Sequence, residues 1–273
     1  MLSHDPLWPR AGDWPAPSGR ADVALVGIPT HLTSLSPTQA HLTPAAVREA
    51  LRRYSFESGL RIVDAGDAPD PDGTDATPFV SAIDAALVVA LGGDNSATVP
   101  VALGRRATGL VTVDAHHDLR DGVSNGSPVR QLVGAGLDGS RIVQVGIEPF
   151  ANSRAYARRA ADLGITVITR DELRRRPITD VMAEALEIAG ESVHVDLDVD
   201  VCDRSVAPGC PASAPGGISA IELREAARVA GAHPSVTSID LVEVDAAADT
   251  PDQRTVRLVA LCVLEAMRGF ESR

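Results

Sequence analysis

The stretch Val193 to Asp203, VHVDLDVDVCD, alternates polar and aliphatic side chains with a period of two. That period belongs to a strand, and it sets His194, Asp196, Asp198 and Asp200 on one face with Val195, Leu197, Val199 and Val201 on the other. Successive carboxylates about 7 Å apart along a strand repel one another in a low-dielectric interior, so they must be protonated, paired or bound to cations. A second apolar run, VTVDAHHD from Val111, ends in Asp114, His116 and Asp118, again at spacing two. One such cluster is commonplace, because aspartates at strand ends often cap helices or close turns. Two in one chain point to a shared cation site. Oxygen donors with imidazole suit a divalent ion such as Mn²⁺, and several carboxylates able to bridge suggest a pair.

The chain can bury such a site, since 273 residues at 44% hydrophobic content suffice for one large α/β domain. A formal net charge of −12, with no basic run beyond Arg174 to Arg176, argues against nucleic-acid and anionic-membrane surfaces. The expected partner is a small molecule. Cys202, Cys210 and Cys262 are too few and too irregularly spaced for a disulfide framework or a zinc knuckle. MLSHDPLWPR shows no basic-then-apolar signal pattern, and no apolar run approaches the roughly 20 residues of a membrane span, so a cytoplasmic location is expected.

Strand and helix patterns alternate along the chain, which predicts one doubly wound parallel sheet with its site at the carboxyl ends of the strands. Residues 1–21, rich in Pro, Gly and Asp, are expected to form an irregular arm, and 22–273 the domain. Thr43 is expected to cap a helix opened by Pro44. His31 and His41 are expected on a loop surface, and the acidic run DAGDAPDPDGTDAT facing solvent. AALVVAL from Ala85 reads as a strand buried on both faces that delivers GGDNS to a turn, where Asp94 or Ser96 can cap the next helix. The acidic strand is expected from Ser192 to Asp200, and a last strand from Val236 to Val244 presents Asp240 and Glu243.

Four motifs thus stand in order at strand ends: GGDNS from Gly92, DAHHD from Asp114, DLDVDVCD from Asp196 with APG from Ala207, and DLVEV from Asp240. In that combination, from about Val23 to Phe270, the chain resembles the ureohydrolase family of arginase, agmatinase and formimidoylglutamase. The resemblance implies a single-domain, three-layer α/β/α fold with a mostly parallel sheet, a pair of Mn²⁺ ions and a homo-oligomer. Carried over by position, it implies that Asp114, His116, Asp118, Asp198 and Asp200 are metal ligands. Glu243 matches the carboxylate that faces the substrate's amidinium or guanidinium. The chemistry suits those residue types: a metal pair acidifies a water that attacks a planar C=N carbon, Asp118 holds the attacking oxygen by a hydrogen bond, and Glu243 orients the cation.

Three departures qualify the match. Asn95 stands where the family usually has a histidine ligand, in GGDHS, so one metal gains an amide oxygen or no contact in place of imidazole. Asn125 stands where arginases and agmatinases carry a histidine thought to move protons, and an amide cannot titrate. Asp196 replaces a position that is often serine and adds a charge beneath the site.

Within the family, VQVGIEPFANSRAYARRAADLGI, DAHHDLR and Asn125 look like the formimidoylglutamases, which hydrolyse N-formimidoyl-L-glutamate to L-glutamate and formamide in histidine degradation. Such a substrate carries two carboxylates, for which Arg120, Arg130 and Arg154 are candidate partners, with Asn125 a further substrate contact. An agmatinase- or arginase-type guanidino hydrolase releasing urea is the alternative, opposed by Asn125. A metal-depleted, non-catalytic homologue is a third reading, prompted by Asn95 and opposed by the intact carboxylates.

Overall fold

The computed structural model describes residues 5–273, so the first four residues of the expected arm lie outside it. Of the rest of that arm, Trp14 packs partly against the core, Ala11 is fully buried, and Arg10 bridges to Ser55. The elements then follow as β1 (Ala21–Ile28), α1 (Thr43–Leu51), β2 (Ile62–Asp67), α2 (Thr77–Ser81), β3 (Ala85–Gly92) and α3 (Thr98–Gly104). Next come β4 (Gly109–Val113), α4 (Pro128–Gly134), β5 (Ile142–Ile147), α5 (Arg154–Asp162), β6 (Thr166–Thr169), α6 (Arg170–Leu173) and α7 (Ile178–Ala189). The chain closes with β7 (Val193–Asp198), α8 (Ala220–Ala232), β8 (Val236–Val242) and α9 (Arg254–Glu271).

The strands form one eight-stranded sheet in the order β2-β1-β3-β8-β7-β4-β5-β6, every neighbouring pair parallel. Parallel strands need crossovers and are covered on both faces, which is why Ala85–Gly92 and Val193–Asp198 are buried nearly throughout. On one face, Leu25, Leu87, Val89, Val111, Val195, Leu197 and Ile239 pack with the apolar sides of α1, α7, α8 and α9 into a single core. The opposite face is divided. One apolar cluster gathers Val26, Val88 and Ala90 with α2 and α3, and another gathers Leu110 and Ile142 with α4 and α5. Between them lies a buried polar band: Gln144, Thr112, Asp196 and Asp240 pair in register across β5, β4, β7 and β8, with His194 opposite Ser238 below.

Local details correct several sequence expectations. Thr43 does not cap α1, because a short 3₁₀ turn, Ala40–Leu42, leads directly into the helix, and the Thr43 hydroxyl instead donates to Val244 O at 2.5 Å. The acidic run is not simply solvent-facing. Its first residues belong to β2, where Asp64 and Asp67 pair with Arg48, and Asp72 accepts from the backbone N–H of His31 at 3.1 Å. His31 and His41 are half-buried, with ring centroids 4.1 Å apart. All three cysteines are buried and free. Among the described residues no helix is long and apolar enough to cross a membrane.

Candidate metal centre

β7 ends earlier than its sequence pattern suggests. The period of two holds through Asp198, where the chain turns into a 3₁₀ helix, Val199–Val201, and the Asp198 side chain accepts from Asp200 N at 2.8 Å. Asp200 therefore reaches the site from a turn and not from the strand face. The correction has a physical reason: a strand places carboxylates two residues apart about 7 Å from each other, whereas a turn can swing the second toward a common point.

The segment after β4 supplies the other half. Asp114 N bonds to Val145 O at 2.9 Å, and Asp114 Oδ1 accepts from His116 N at 2.6 Å, which folds DAHHD back over the strand end. Of the two adjacent histidines only His116 turns inward, with Nδ1 2.9 Å from Asp200 Oδ2 and 3.4 Å from Asp114 Oδ1. His117 points away and meets Gln144 Oε1 at 2.7 Å. Asn152, which in the sequence merely precedes α5, pins this loop: its amide donates to Ala115 O at 2.8 Å and Glu148 O at 2.9 Å.

Gly92-Gly93 brings β3 in from the third side. A Cβ on Gly93 would lie 2.0 Å from Thr30 O, so only glycine permits that approach, and Gly93 O then accepts from Glu243 N at 2.9 Å. Asp94 caps the following turn through Ser96 N. Asp118 and Glu243 are held at φ 51 and φ 62, a left-handed conformation that costs energy for side chains of their kind and concentrates at functional sites.

Two donor groups result, each with its ligand atoms within 4.8 Å of one another: Asp114, His116 and Asp200, and Asp114, Asp118 and Asp198. Asp114 belongs to both, as a bridging carboxylate does. Burial, followed by the charge of Asp200, pushes Asp114 up to about 6, and burial with the charge of Asp114 pushes Asp118 well above the carboxylate range. Asp198 is raised the same way, by burial and Asp200. His116 is pulled down by burial but driven up to about 12 by Asp200 and Asp114, and Asp200 is correspondingly lowered by His116 despite its burial. One histidine cannot neutralise four carboxylates. Asp114 Oδ2 is buried without a hydrogen-bond partner, and such an orphaned oxygen among repelling acids is what a cation would satisfy. The donor set fits a pair of divalent ions.

Asn95 sits in this cluster with its nitrogen forward. Nδ2 donates to Asp118 Oδ2 at 2.6 Å and to Asp198 Oδ2 at 3.1 Å, while Oδ1 is turned to the Thr98 hydroxyl at 2.6 Å. Asp196 lies one layer below and is raised by burial, then by Asp240, with which it shares a hydrogen bond. Asp240 in turn approaches His194 Nε2 at 3.2 Å, and His194 Nδ1 meets Ser238 at 2.9 Å. No single motif announced that chain, because its members come from two strands.

A pocket of about 260 Å³ opens above the cluster, lined by His116, Asp118, Asp198, Asp200, Glu243 and Asn125, and closed by Leu35 and Ser36 from the loop after β1. Burial, with the charge of Asp200, raises Glu243 to about 8, against the hydrogen bonds from Asn125 and Asn95 N. Of the three candidate arginines only Arg120 lines this pocket. Arg130 is occupied with Arg120 O at 2.6 Å and Gly122 O. Arg154 lines a separate cavity of about 430 Å³ beside His117.

A family model described as the arginase family matches residues 21–269. A formimidoylglutamase of Bacillus subtilis (strain 168) is 33% identical over 279 aligned residues, covering 91% of this chain and 87% of that protein. The crystal structure of formimidoylglutamase from B. subtilis subsp. subtilis str. 168 shares the fold with a TM-score of 0.90 at 30% identity, covering 99% of this chain and 94% of the other. Trypanosoma cruzi formiminoglutamase with Mn²⁺₂ is similar in fold, with a TM-score of 0.86 at 24% identity over 93% of this chain and 94% of that one.

Proposed function

Because the chain belongs to the arginase family, we propose that its pocket hydrolyses N-formimidoyl-L-glutamate to L-glutamate and formamide. The observation that carries the reading is the placement of Glu243, the acid cluster and Arg120 around one cavity, which matches a substrate cationic at its amidine and anionic at its glutamate end. The extensive likeness to formimidoylglutamase supports it.

In this reading Asp114, His116, Asp198 and Asp200 hold one divalent ion, and Asp114, Asp118 and Asp198 the other. Mn²⁺ is the proposed metal, being the ion present with T. cruzi formiminoglutamase. When bound, such a pair supplies Lewis acidity that makes water a nucleophile near neutral pH. Glu243 accepts an N–H of the amidinium and holds its carbon over the cluster. Asp118 would accept a hydrogen bond from the attacking water, take its proton and return it to the departing nitrogen. The C–N bond to the glutamate breaks, and formamide keeps the terminal nitrogen.

The test is incubation of Mn²⁺-loaded protein with N-formimidoyl-L-glutamate and, separately, with guanidino acids, measuring formamide and urea. Formamide release with at most traces of urea is expected. Urea release at equal or greater kcat/KM would replace the reading with a guanidino hydrolase.

Two expectations follow for single residues. Arg120→Ala should raise KM by roughly 10- to 150-fold with little change in kcat, the effect of losing a charge-assisted bond of about 1.5–3 kcal/mol made equally in ground and transition states. Arg154→Ala, on another cavity, should leave KM within about twofold. Equal kinetics for all arginine variants would leave the carboxylates without a partner.

The second expectation concerns Asn95. Its oxygen can reach a metal only if the amide turns over, giving up bonds to Asp118, Asp198 and Thr98. The metal on the Asp118 side should therefore be the weaker and be removed by mild chelation, leaving about one ion per chain. Asn95→His should tighten it. Elemental analysis across a Mn²⁺ titration decides, and two equally tight ions in the unmodified protein, with no gain from Asn95→His, would show that this position does not control the site.

A further inference from the structure

Glu243 presents its two carboxylate oxygens unequally. Oε1 accepts from Asn95 N at 2.8 Å and from Asn125 Nδ2 at 2.7 Å. An sp² oxygen has two lone pairs, so Oε1 is filled by the protein itself, and Oε2 is left for a ligand. Both donors are fixed by their surroundings. Asn95 N is a backbone donor at the turn after β3, which cannot be reoriented without undoing that turn. Asn125 could in principle turn its amide over, but its Oδ1 accepts from Leu35 N at 3.0 Å, a backbone donor that only an oxygen can satisfy. Asn125 N is also tied to Thr33 O at 3.3 Å.

The loop that sets this orientation is itself anchored at both ends. Asp72 accepts from His31 N at 3.1 Å and Leu32 N at 3.1 Å, and Asp245 accepts from the Thr38 hydroxyl at 3.0 Å and from Gln39 N at 2.8 Å. Glu243 has little freedom of its own, being 7% exposed and bonded through its N–H to Gly93 O.

We infer that Asn125, held by the loop after β1, is a specificity-determining residue that saturates Glu243 Oε1 and so selects amidines over guanidines. This rests on the amidine reading above and deepens it. An amidine and the corresponding guanidine differ at one place on the reacting carbon, which carries H in the first and NH₂ in the second. The C–H needs no acceptor. The additional NH₂ brings two more donors into a pocket where half of the orienting carboxylate is already occupied, and a polar group confined without a partner weakens binding. Asn125 acts here as a positioning residue, through Glu243.

The probes are N-formimidoyl-L-glutamate and N-carbamimidoyl-L-glutamate, which differ only by that H and NH₂. Their kcat/KM values are compared in the Mn²⁺-loaded protein and in Asn125→Ala, with Asn125→Ser as a second variant should alanine fail to fold. Dissociation constants of formamidinium and guanidinium chloride, read by calorimetry, give the same comparison whether or not either glutamate derivative is turned over. The unmodified protein should favour the amidine by at least about tenfold, and the variants should narrow that preference by at least about fivefold, chiefly by gaining on the guanidine. If Asn125 only supports the loop, both ligands weaken together and the ratio stays within about twofold, which overturns the inference. Absence of formamide release from the unmodified protein would count against the proposed reaction, and the ratio of dissociation constants would still decide the role of Asn125.

Discussion

Asp198→Ala in Mn²⁺-replete buffer is expected to lose at least about a thousandfold in activity and to remain folded. Asp198 belongs with Asp114 and Asp118 to one donor group, and in the proposed site it serves both metals, so the loss is of the several kcal/mol of transition-state stabilisation that bound metals provide. The metal-free fold should hardly suffer. Burial and the charge of Asp200 make Asp198 an unfavourable anion, so its removal relieves repulsion, which offsets the lost cap to Asp200 N at 2.8 Å. The stability should hold to within about 1 kcal/mol. Asp200→Ala should differ. Its carboxylate pairs with His116 at 2.9 Å and is stabilised as an anion there, so its loss leaves a half-buried imidazolium with weaker company and should lower the midpoint as well as activity. Thermal melts of the metal-free variants beside assays with Mn²⁺ make the check. A fully active Asp198→Ala protein would sink the assignment of a metal pair.

The second large effect is on stability against pH. Asp114, near 6, and Glu243, near 8, bind protons in the native chain at pH values where the unfolded chain has released them, and Asp118 and Asp198 are displaced in the same direction. Where the native state binds more protons, stability falls as pH rises. His116 adds to the trend. Its native value near 12 lies above the unfolded one, so its contribution is full below about 6.5 and is lost only as pH climbs toward 12. The metal-free protein should therefore be most stable near pH 4 to 5 and lose stability through pH 8. A tenfold difference in proton affinity between the native and unfolded chains is worth about 1.4 kcal/mol, and about 1 kcal/mol moves the midpoint of a chain this size by roughly 2–4 °C, so a fall of at least about 5 °C between pH 5 and 8 is expected. Mn²⁺ should reverse it, and stabilise more at pH 8 than at pH 5, because ligands must shed protons to bind. Melts of chelated protein with and without added Mn²⁺ test this. A midpoint that rises with pH in the chelated protein would show that the carboxylates are compensated by something other than metal.

Much of this was legible in the chain. Alternating aliphatics at β3 and β7, each ending in a short polar motif, give buried parallel strands with chemistry at their carboxyl ends, since hydrophobic period and turn residues are local properties. The same local rule grouped His194, Asp196, Asp198 and Asp200 on one run and Asp114, His116 and Asp118 at the end of another, and only the family resemblance narrowed these to five ligands. The local rule failed at Asp200, where a strand pattern continues in sequence although the backbone has turned, and at Thr43, where a hydroxyl that could have capped a helix satisfies Val244 O after the last strand. Local patterns state what a side chain can do. They do not state which partner reaches it first.

Periodicity and the repulsion of neighbouring carboxylates were enough to dictate the parallel α/β architecture, the set of acids and imidazole at strand ends, and the expectation that such a set binds cations. Where these groups point and what they meet was decided by the packing of the whole chain. It turned His116 inward and His117 out, and left Arg120 as the one candidate arginine on the pocket. It set Asp196 beside Asp240 and Asp240 beside His194, and it filled one oxygen of Glu243 from Asn95 and Asn125. Asn95 alone reaches partners 23 and 148 positions further along the chain, at Asp118 and Glu243. Such pairing depends on strand order and loop closure, which no local window of sequence contains.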